Sequence, residues 1–145
     1  MHHVAIMNKS WGLIQKILSG EKTIESRWYK TKRAPWDNVK PGDMVYFKNS
    51  GELVTLQAVV QRVLQFADLT PNKVKDILDK YSARIGVSND DIPNYFEMFK
   101  EKRYCILIFL KQPKRVRPFQ INKNGFGAMA AWIAVEQIDR IKKLL

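Results

Sequence analysis

A run of seven apolar or aromatic residues, Tyr104 to Leu110, is the feature that most limits the folds open to this chain. Its length suits a strand and falls far short of the roughly 18 residues that a membrane span needs. An unbroken apolar strand is covered on both faces, so other elements have to pack on either side of it. Within the run, Cys105 is the one cysteine of the chain, which excludes an intrachain disulfide and favours a small core residue. The run therefore predicts a buried strand near the centre of the fold.

Strand patterns and helix patterns alternate along the rest of the chain. Alternating or β-branched segments predict further strands over His3 to Met7, Lys22 to Tyr29, Met44 to Lys48, Leu53 to Phe66 and Phe119 to Ile121. Met129 to Val135 fits a strand or a helix, because its alanines favour a helix while Trp132, Ile133 and Val135 favour a strand, and we interpret it as a strand. Helical spacing and caps predict helices over Trp11 to Leu18 with Ser10 as N-cap, Pro71 to Gly86 with Thr70 as N-cap, Asn89 to Lys102, and a turn at Gln137 to Lys143. About six strands and three or four helices indicate an α+β fold, and 145 residues suit one domain, 1–145.

Positive charge dominates the composition. Twenty-five Lys and Arg against fourteen Asp and Glu give a formal net charge of +11. Such an excess attracts polyanions, so nucleic acid is the first partner to consider, while membrane surfaces and anionic metabolites stay open. Much of the charge lies in two segments that we interpret as exposed, a loop over Tyr29 to Lys40 and a run over Lys111 to Arg117. With no signal pattern and no membrane span, we expect a cytoplasmic protein.

The segment Gly20 to Arg27 leads into an alternating stretch, Lys22 to Tyr29, which is typical of a half-buried strand and puts Thr23, Glu25 and Arg27 on one face. Taken alone, this pattern is most simply a salt bridge between Glu25 and Arg27 on a strand surface, with little effect on stability.

The same segment, Gly20-Glu21-Lys22-Thr23-Ile24-Glu25-Ser26-Arg27, resembles the G-x-K-x-x-E-x-R motif of the ASCH family. The helical segment Leu13 to Leu18 before it and Lys40-Pro41-Gly42-Asp43 after it also resemble that family, and the resemblance is specific over Val4 to Val63. It implies a PUA-like β-barrel of about five to six strands flanked by three to four helices. It also implies a cleft floored by the motif strand and a role in RNA metabolism.

The resemblance gives Lys22, Glu25 and Arg27 as motif positions. Lys22 and Arg27 can meet a phosphate, while Glu25 can accept from a base amino group or hold Arg27 in place. We expect a basic loop with an aromatic ring to cover the cleft and two further lysines to line its rim: Lys32, Arg33, Trp36, Lys48 and Lys123. Trp28 and Trp132 alternate into apolar neighbours and are interpreted as core. The predicted ligand is RNA or a nucleotide.

Three other functions stay open. Some ASCH members are amidohydrolases on acetylated cytidine that use a Lys and a Thr of the motif strand, but the Thr position here is Glu25, which cannot replace a hydroxyl nucleophile. A ribonuclease needs a base and a cation at the scissile phosphate, for which Lys22, Glu25, Tyr46 and Lys48 are candidates. A stand-alone interaction module with an empty cleft is the third possibility. We expect no cofactor, and the adjacent His2 and His3 do not indicate a metal site.

Overall fold

A computed structural model describes residues 1–143 and has the predicted α+β architecture. Seven strands form one sheet: β1 His2–Met7, β2 Ile24–Tyr29, β3 Met44–Asn49, β4 Val54–Phe66, β5 Tyr104–Ile121, β6 Trp132–Val135 and β7 Lys142–Lys143. Three α-helices accompany it within these residues: α1 Leu13–Ser19, α2 Pro71–Ile85 and α3 Ile92–Phe99. The same part of the chain contains no helix long and apolar enough to cross a membrane.

The sheet has the order β2-β5-β4-β3-β1-β6, with β7 added to the far end of β5, and it curves into a half-barrel. Only β1 and β3 pair in parallel among the described strands, and all other neighbours are antiparallel. α1 packs on one part of the sheet in a cluster that includes Phe47, Ile106 and Ile108. α2 and α3 pack on β2 and on the other face of β5, against Leu107 and neighbouring residues. The run Tyr104 to Leu110 is therefore covered on both faces, as predicted.

The charged segment Lys111 to Arg117 corrects the sequence-based prediction of a break between two strands. β5 is continuous from Tyr104 to Ile121, although the charged side chains are exposed as expected. Its pairing to β4 shifts between Val59↔Lys111 and Gln57↔Lys114, where β5 contains one more residue than its partner. This bulge accommodates Pro113, which cannot donate a ladder hydrogen bond, and Gln112, whose φ is 53°.

The first helix begins later than predicted, and its predicted cap is wrong. Asn8 caps a short 3-10 turn, Lys9–Trp11, by accepting from the Ser10 N–H at 3.0 Å, so Ser10 is not the N-cap. Gly12, with φ 64°, separates this turn from α1. The result is that Trp11 lies outside the helix, on the surface of the protein.

The ends of the other helices follow local signals. α2 has the predicted cap, since Thr70 Oγ1 accepts from the Lys73 N–H at 3.3 Å and Gly86 ends the helix at φ 96°. The predicted helix over Asn89 to Lys102 is instead a 3-10 turn, Asn89–Asp91, followed by the shorter α3. At the C-terminal end, the predicted helical turn is a 3-10 turn, Ile138–Arg140, that leads into β7.

Candidate functional site

A cavity of about 270 Å³ lies over the motif strand and is called the motif cavity below. β2 forms its floor, the turn before α1 and the end of β1 form one side, and α3 with the end of α2 forms the other. Its lining combines a few polar groups with many apolar and aromatic ones: Ile6, Met7, Asn8, Trp11, Leu13, Lys22, Glu25, Ser26, Arg27, Trp28, Tyr29, Ile85, Val87, Tyr95, Phe99 and Ala131. This composition is the usual one for a small-molecule site.

Lys22 precedes β2 and is almost completely buried, with 1% of its surface exposed. Its ammonium donates to the backbone carbonyl oxygens of Ile24 at 2.6 Å and Ile85 at 2.7 Å. The ammonium also forms an ion pair with Glu25 Oε1, at 3.4 Å. An ammonium has three N–H donors, so Lys22 is fully satisfied by the protein and ties the motif strand to the end of α2.

Glu25 is the buried carboxylate of the motif cavity. Its Oε1 also accepts from the Ser26 N–H at 3.0 Å, and its Oε2 lies 3.3 Å from Arg27 Nη2. Burial by itself raises the pKa of Glu25, but the Lys22 ammonium and the Arg27 guanidinium outweigh it and hold the pKa below its ordinary value. Burial lowers the pKa of Lys22, and Glu25 opposes that shift. Glu25 is therefore ionised at neutral pH and acts only as an acceptor.

Arg27 is fixed by backbone carbonyls at the end of β1 and before β6. It donates through Nη1 to the Ala131 oxygen at 3.2 Å and through Nη2 to the Ile6 oxygen at 3.4 Å. Its guanidinium also lies over the Trp132 ring, 5.1 Å from the ring centroid.

Trp132 is itself held from behind, because its indole N–H donates to Nδ1 of the buried His3 at 3.1 Å. His3 Nε2 in turn lies 2.8 Å from Asp43 Oδ2. Since Nδ1 accepts from the indole, Nε2 carries the imidazole proton and donates to Asp43. This chain of contacts connects the Pro41-Gly42-Asp43 turn to the orientation of Arg27.

Aromatic side chains form the wall opposite the charged groups. The Trp28 and Phe99 rings stack in parallel, 4.6 Å apart and inclined by 6°. Tyr95 meets Phe99 edge to face at 5.7 Å and also meets Trp11 at 5.8 Å. Trp11 is 40% exposed and completes the wall on its open side. The motif cavity therefore joins flat apolar surfaces to a fixed acceptor and a fixed donor.

Solved structures with this arrangement of strands and helices are found in the ASCH family. The structure of ASCH from Zymomonas mobilis is 17% identical and superposes with a TM-score of 0.65, covering 94% of this chain and 88% of that one. A tyrosine-to-phenylalanine variant of the same protein gives 18% identity and a TM-score of 0.65 over 96% of this chain and 93% of that one. This chain has the ASCH fold. The N-terminal domain of Staphylothermus marinus McrB is also similar, at 17% identity and a TM-score of 0.51, over 81% of this chain and 75% of that domain.

At the level of sequence, no protein-family model and no curated protein matches the chain. The structural likeness nevertheless confirms the ASCH resemblance and the barrel-like architecture expected from it. At identities below 20%, this likeness concerns the fold and not the ligand or the reaction.

Of the residues predicted from sequence, the structure brings together Lys22, Glu25 and Arg27 in this ASCH-fold cavity. The interpretation of Glu25 and Arg27 as a surface salt bridge is wrong, because Glu25 is buried. Six other candidates do not line the motif cavity: Lys32, Arg33, Trp36, Tyr46, Lys48 and Lys123.

The basic loop packs on the protein beside the motif cavity instead of covering it. The Trp36 ring meets Tyr104 edge to face at 5.2 Å, and the Lys32 ammonium lies 5.8 Å from the centroid of the Trp36 ring. The Arg33 guanidinium lies over Tyr29 at 5.2 Å. These contacts explain why Trp36 does not present a free ring to the cavity.

Tyr46 lies in a separate apolar cluster. Its ring meets His2 at 5.7 Å and Phe119 at 5.8 Å. Burial, and after it the Asp139 carboxylate, raises the pKa of the Tyr46 hydroxyl. Lys48 is two residues after Tyr46 on β3 and is also outside the motif cavity, which Lys22 and Glu25 line. The four residues considered for a ribonuclease therefore do not converge on one point.

The aromatic residues Trp11, Tyr95 and Phe99 line the motif cavity but were not predicted from sequence. Tyr95 and Phe99 are four residues apart on a helix, which places them on one face and is a usable signal. Trp28 is buried as predicted and also lines the cavity, while Trp132 is buried beneath Arg27. In the described residues, no three His, Cys, Asp or Glu side chains group as metal ligands do.

Proposed function

We propose that this ASCH-fold protein binds single-stranded RNA or a nucleotide, and that one nucleobase enters the motif cavity. The observation that carries the proposal is the meeting of a stacked aromatic wall with a buried, ionised Glu25 and a fixed Arg27. A flat heterocycle that both donates and accepts hydrogen bonds is the ligand that satisfies such a site. RNA-binding modules commonly combine these two kinds of contact on unpaired bases.

The polar groups restrict which edge of a base can bind. Glu25 accepts from three donors of the protein, and a carboxylate has about four lone-pair sites, so one site is left for a base amino or imino group. Arg27 uses both terminal nitrogens on the protein yet has five N–H groups, which leaves donors for a base carbonyl or ring nitrogen. A base that presents a donor beside an acceptor matches this pair.

Lys22 has a supporting role in this proposal, in place of the phosphate contact inferred from the motif. Its three donors are already used, and leaving the two backbone carbonyls would strand buried acceptors. Its charge helps to keep Glu25 ionised and therefore able to accept from a base. The net charge of +11 supplies the long-range attraction for the phosphate backbone.

The hydrolase alternative has less support from the geometry. An ammonium with three acceptors offers no lone pair for nucleophilic attack, and Tyr46 and Lys48 lie outside the motif cavity. Glu25 remains a possible general base. Turnover of acetylated cytidine or cleavage of RNA, lost in Glu25→Gln, would favour an enzyme.

Titration of a short single-stranded RNA into the wild type, Trp11→Ala and Trp36→Ala tests the binding proposal. Trp11 is partly exposed, so its loss leaves the fold intact, while removal of a stacking ring costs about 1 to 3 kcal/mol, or about 5- to 150-fold in affinity. Trp36→Ala is the aromatic control outside the cavity, and its affinity should stay near that of the wild type. Equal affinity for Trp11→Ala and the wild type would sink the proposal.

A further inference from the structure

Lys48 lies outside the motif cavity, and the stem of its side chain is buried. Only 6% of its surface is exposed, and within residues 1–143 its ammonium has neither a hydrogen-bond acceptor nor a carboxylate partner. The ammonium itself is not fully enclosed, since Asn49 Oδ1 and not Lys48 Nζ is the buried side-chain atom that lacks a partner among the described residues. Lys48 therefore presents an unpaired positive charge on a buried stem, where an anion from solution can reach it.

A second ammonium lies near Lys48. Lys123 donates to the backbone oxygens of Ala128 at 3.1 Å and Ala130 at 3.3 Å, which fixes its position and leaves one N–H for another partner. Burial, and after it the charge of Lys123, lowers the pKa of Lys48, as expected of a partly desolvated ammonium near a like charge. Two cations held together in this way create a strong local attraction for one anion.

The strand register relates this pair of lysines to the motif cavity. Lys48 is paired with Ile6, and the Ile6 N–H donates to the Ala131 oxygen. Arg27, in the motif cavity, binds the carbonyl oxygens of the same Ile6 and Ala131. The lysine pair and the motif cavity therefore meet at one short stretch of backbone.

Exposed positive charge continues along the sheet from the lysine pair. Val54 of β4 pairs with Lys48 on one side and with Phe119 on the other. Arg115 and Arg117, just before Phe119, are exposed. This end of the sheet therefore offers a row of cations. A polyanionic strand can contact the whole row, whereas a small anion would contact only the two lysines, so the row favours a polyanion.

We infer that Lys48 and Lys123 form a phosphate subsite, which takes a backbone phosphodiester of the same RNA strand whose base occupies the motif cavity. This inference rests on the proposed function. Phosphate oxygens supply acceptors to Lys48 and to the remaining N–H of Lys123, and lysine binds phosphate well as a point charge. The subsite would also set the direction in which the strand leaves the cavity.

Inorganic phosphate is the first probe, because it tests the subsite without RNA. Phosphate should raise the melting temperature of the wild type above its value in chloride of equal ionic strength, since a ligand of the native state stabilises it. Lys48→Met keeps the apolar stem and removes the charge, and it should lose most of this rise, as should Lys123→Met. Lys80→Met, an exposed lysine of α2, is the matched control and should keep the rise. An equal rise in all four proteins would overturn the subsite.

The salt dependence of RNA binding is the second probe. Each phosphate contact on a single strand contributes about 0.7 to the slope of log affinity against log salt concentration. Lys48→Met and Lys123→Met should each reduce the slope by about that amount, and Lys80→Met should change it less. Unchanged slopes in both variants, with RNA still bound, would overturn the subsite while the proposed function stands. If wild-type RNA binding is absent but phosphate stabilises in a Lys48-dependent way, the anion site stands and its assignment to RNA fails.

Discussion

Lys22 and Lys48 are both buried lysines, yet their surroundings differ in every respect that matters for binding. Lys22 has two backbone carbonyls and the Glu25 carboxylate within reach of its three donors. Lys48 has no acceptor in the described residues, and its charged neighbour is the like-charged Lys123. The motif lysine, which the sequence singles out, is thus the one that the protein already satisfies.

The two lysines therefore have different roles, one in holding the structure together and one in binding a ligand. At Lys22, the charge holds two elements together and keeps Glu25 ionised, so the ligand meets the carboxylate and not the ammonium. At Lys48, the charge has no partner among the described residues and reaches solvent, so it is available to an anionic ligand. Replacing each lysine by methionine, which keeps the stem, should therefore change stability in opposite directions.

The largest effect is expected for Lys22→Met. Removing one member of a buried ion pair leaves the other charge uncompensated and typically costs about 3 to 5 kcal/mol. The free energy of unfolding from urea denaturation should fall by that amount. The double variant Lys22→Met/Glu25→Gln is the control, and it should recover part of the loss because no anion is left unpaired. A loss well below 1 kcal/mol would contradict the structural role given to Lys22.

Lys48→Met should produce a smaller effect of opposite sign. Partial desolvation and the like charge of Lys123 oppose the charged form of Lys48, and effects of this kind at a partly exposed group are worth about 0.2 to 1 kcal/mol, which the methionine removes while it keeps the packing. In buffer free of phosphate and other polyvalent anions, the variant should be more stable than the wild type by about that amount. If urea denaturation shows Lys48→Met to be less stable, the contrast between the two lysines does not hold.

The smallest effect is the pH dependence of that gain. In the folded protein the pKa of Lys48 lies below the value of about 10.4 that a lysine has in an unfolded chain. Between these two values the unfolded chain binds more protons, so the stability of the wild type rises with pH. Lys48→Met lacks this rise, and its advantage should shrink from neutral pH towards about pH 10. Stability measurements that show a constant or growing advantage would argue against an unpaired, desolvated Lys48.

Signals confined to a short stretch of sequence allowed much of the fold to be predicted. Thr70 and Gly86 bound α2 as expected, and the hairpin of β3 and β4 follows from its turn residues. The continuity of β5 was missed because a basic run with Pro113 is typical of a loop. There, pairing with β4 and a bulge override the local preference.

Of the candidate site, only the motif residues could be predicted from the sequence. Glu25 and Arg27 share a face of β2, as the alternation predicts. Lysine is seldom fully buried, so no sequence pattern indicated that Lys22 would be buried. The aromatic wall joins β2 to residues of α3 that are about 70 positions away in sequence, and tertiary packing alone brings Phe99 onto Trp28. Gly12 ends the 3-10 turn before α1 begins, so the Trp11 ring lies outside the helix, where it lines the motif cavity.

A double-mutant cycle between the protein and the RNA tests most directly whether a base occupies the motif cavity. Affinities are measured for the wild type and Trp11→Ala, each with an intact RNA and with RNAs in which one nucleotide at a time lacks its base. At the position that enters the cavity, both single changes should weaken binding, and the combined loss should be clearly smaller than their sum, because both remove the same stacking contact. Losses that add at every position would contradict the account, since they would mean that Trp11 and the base act independently.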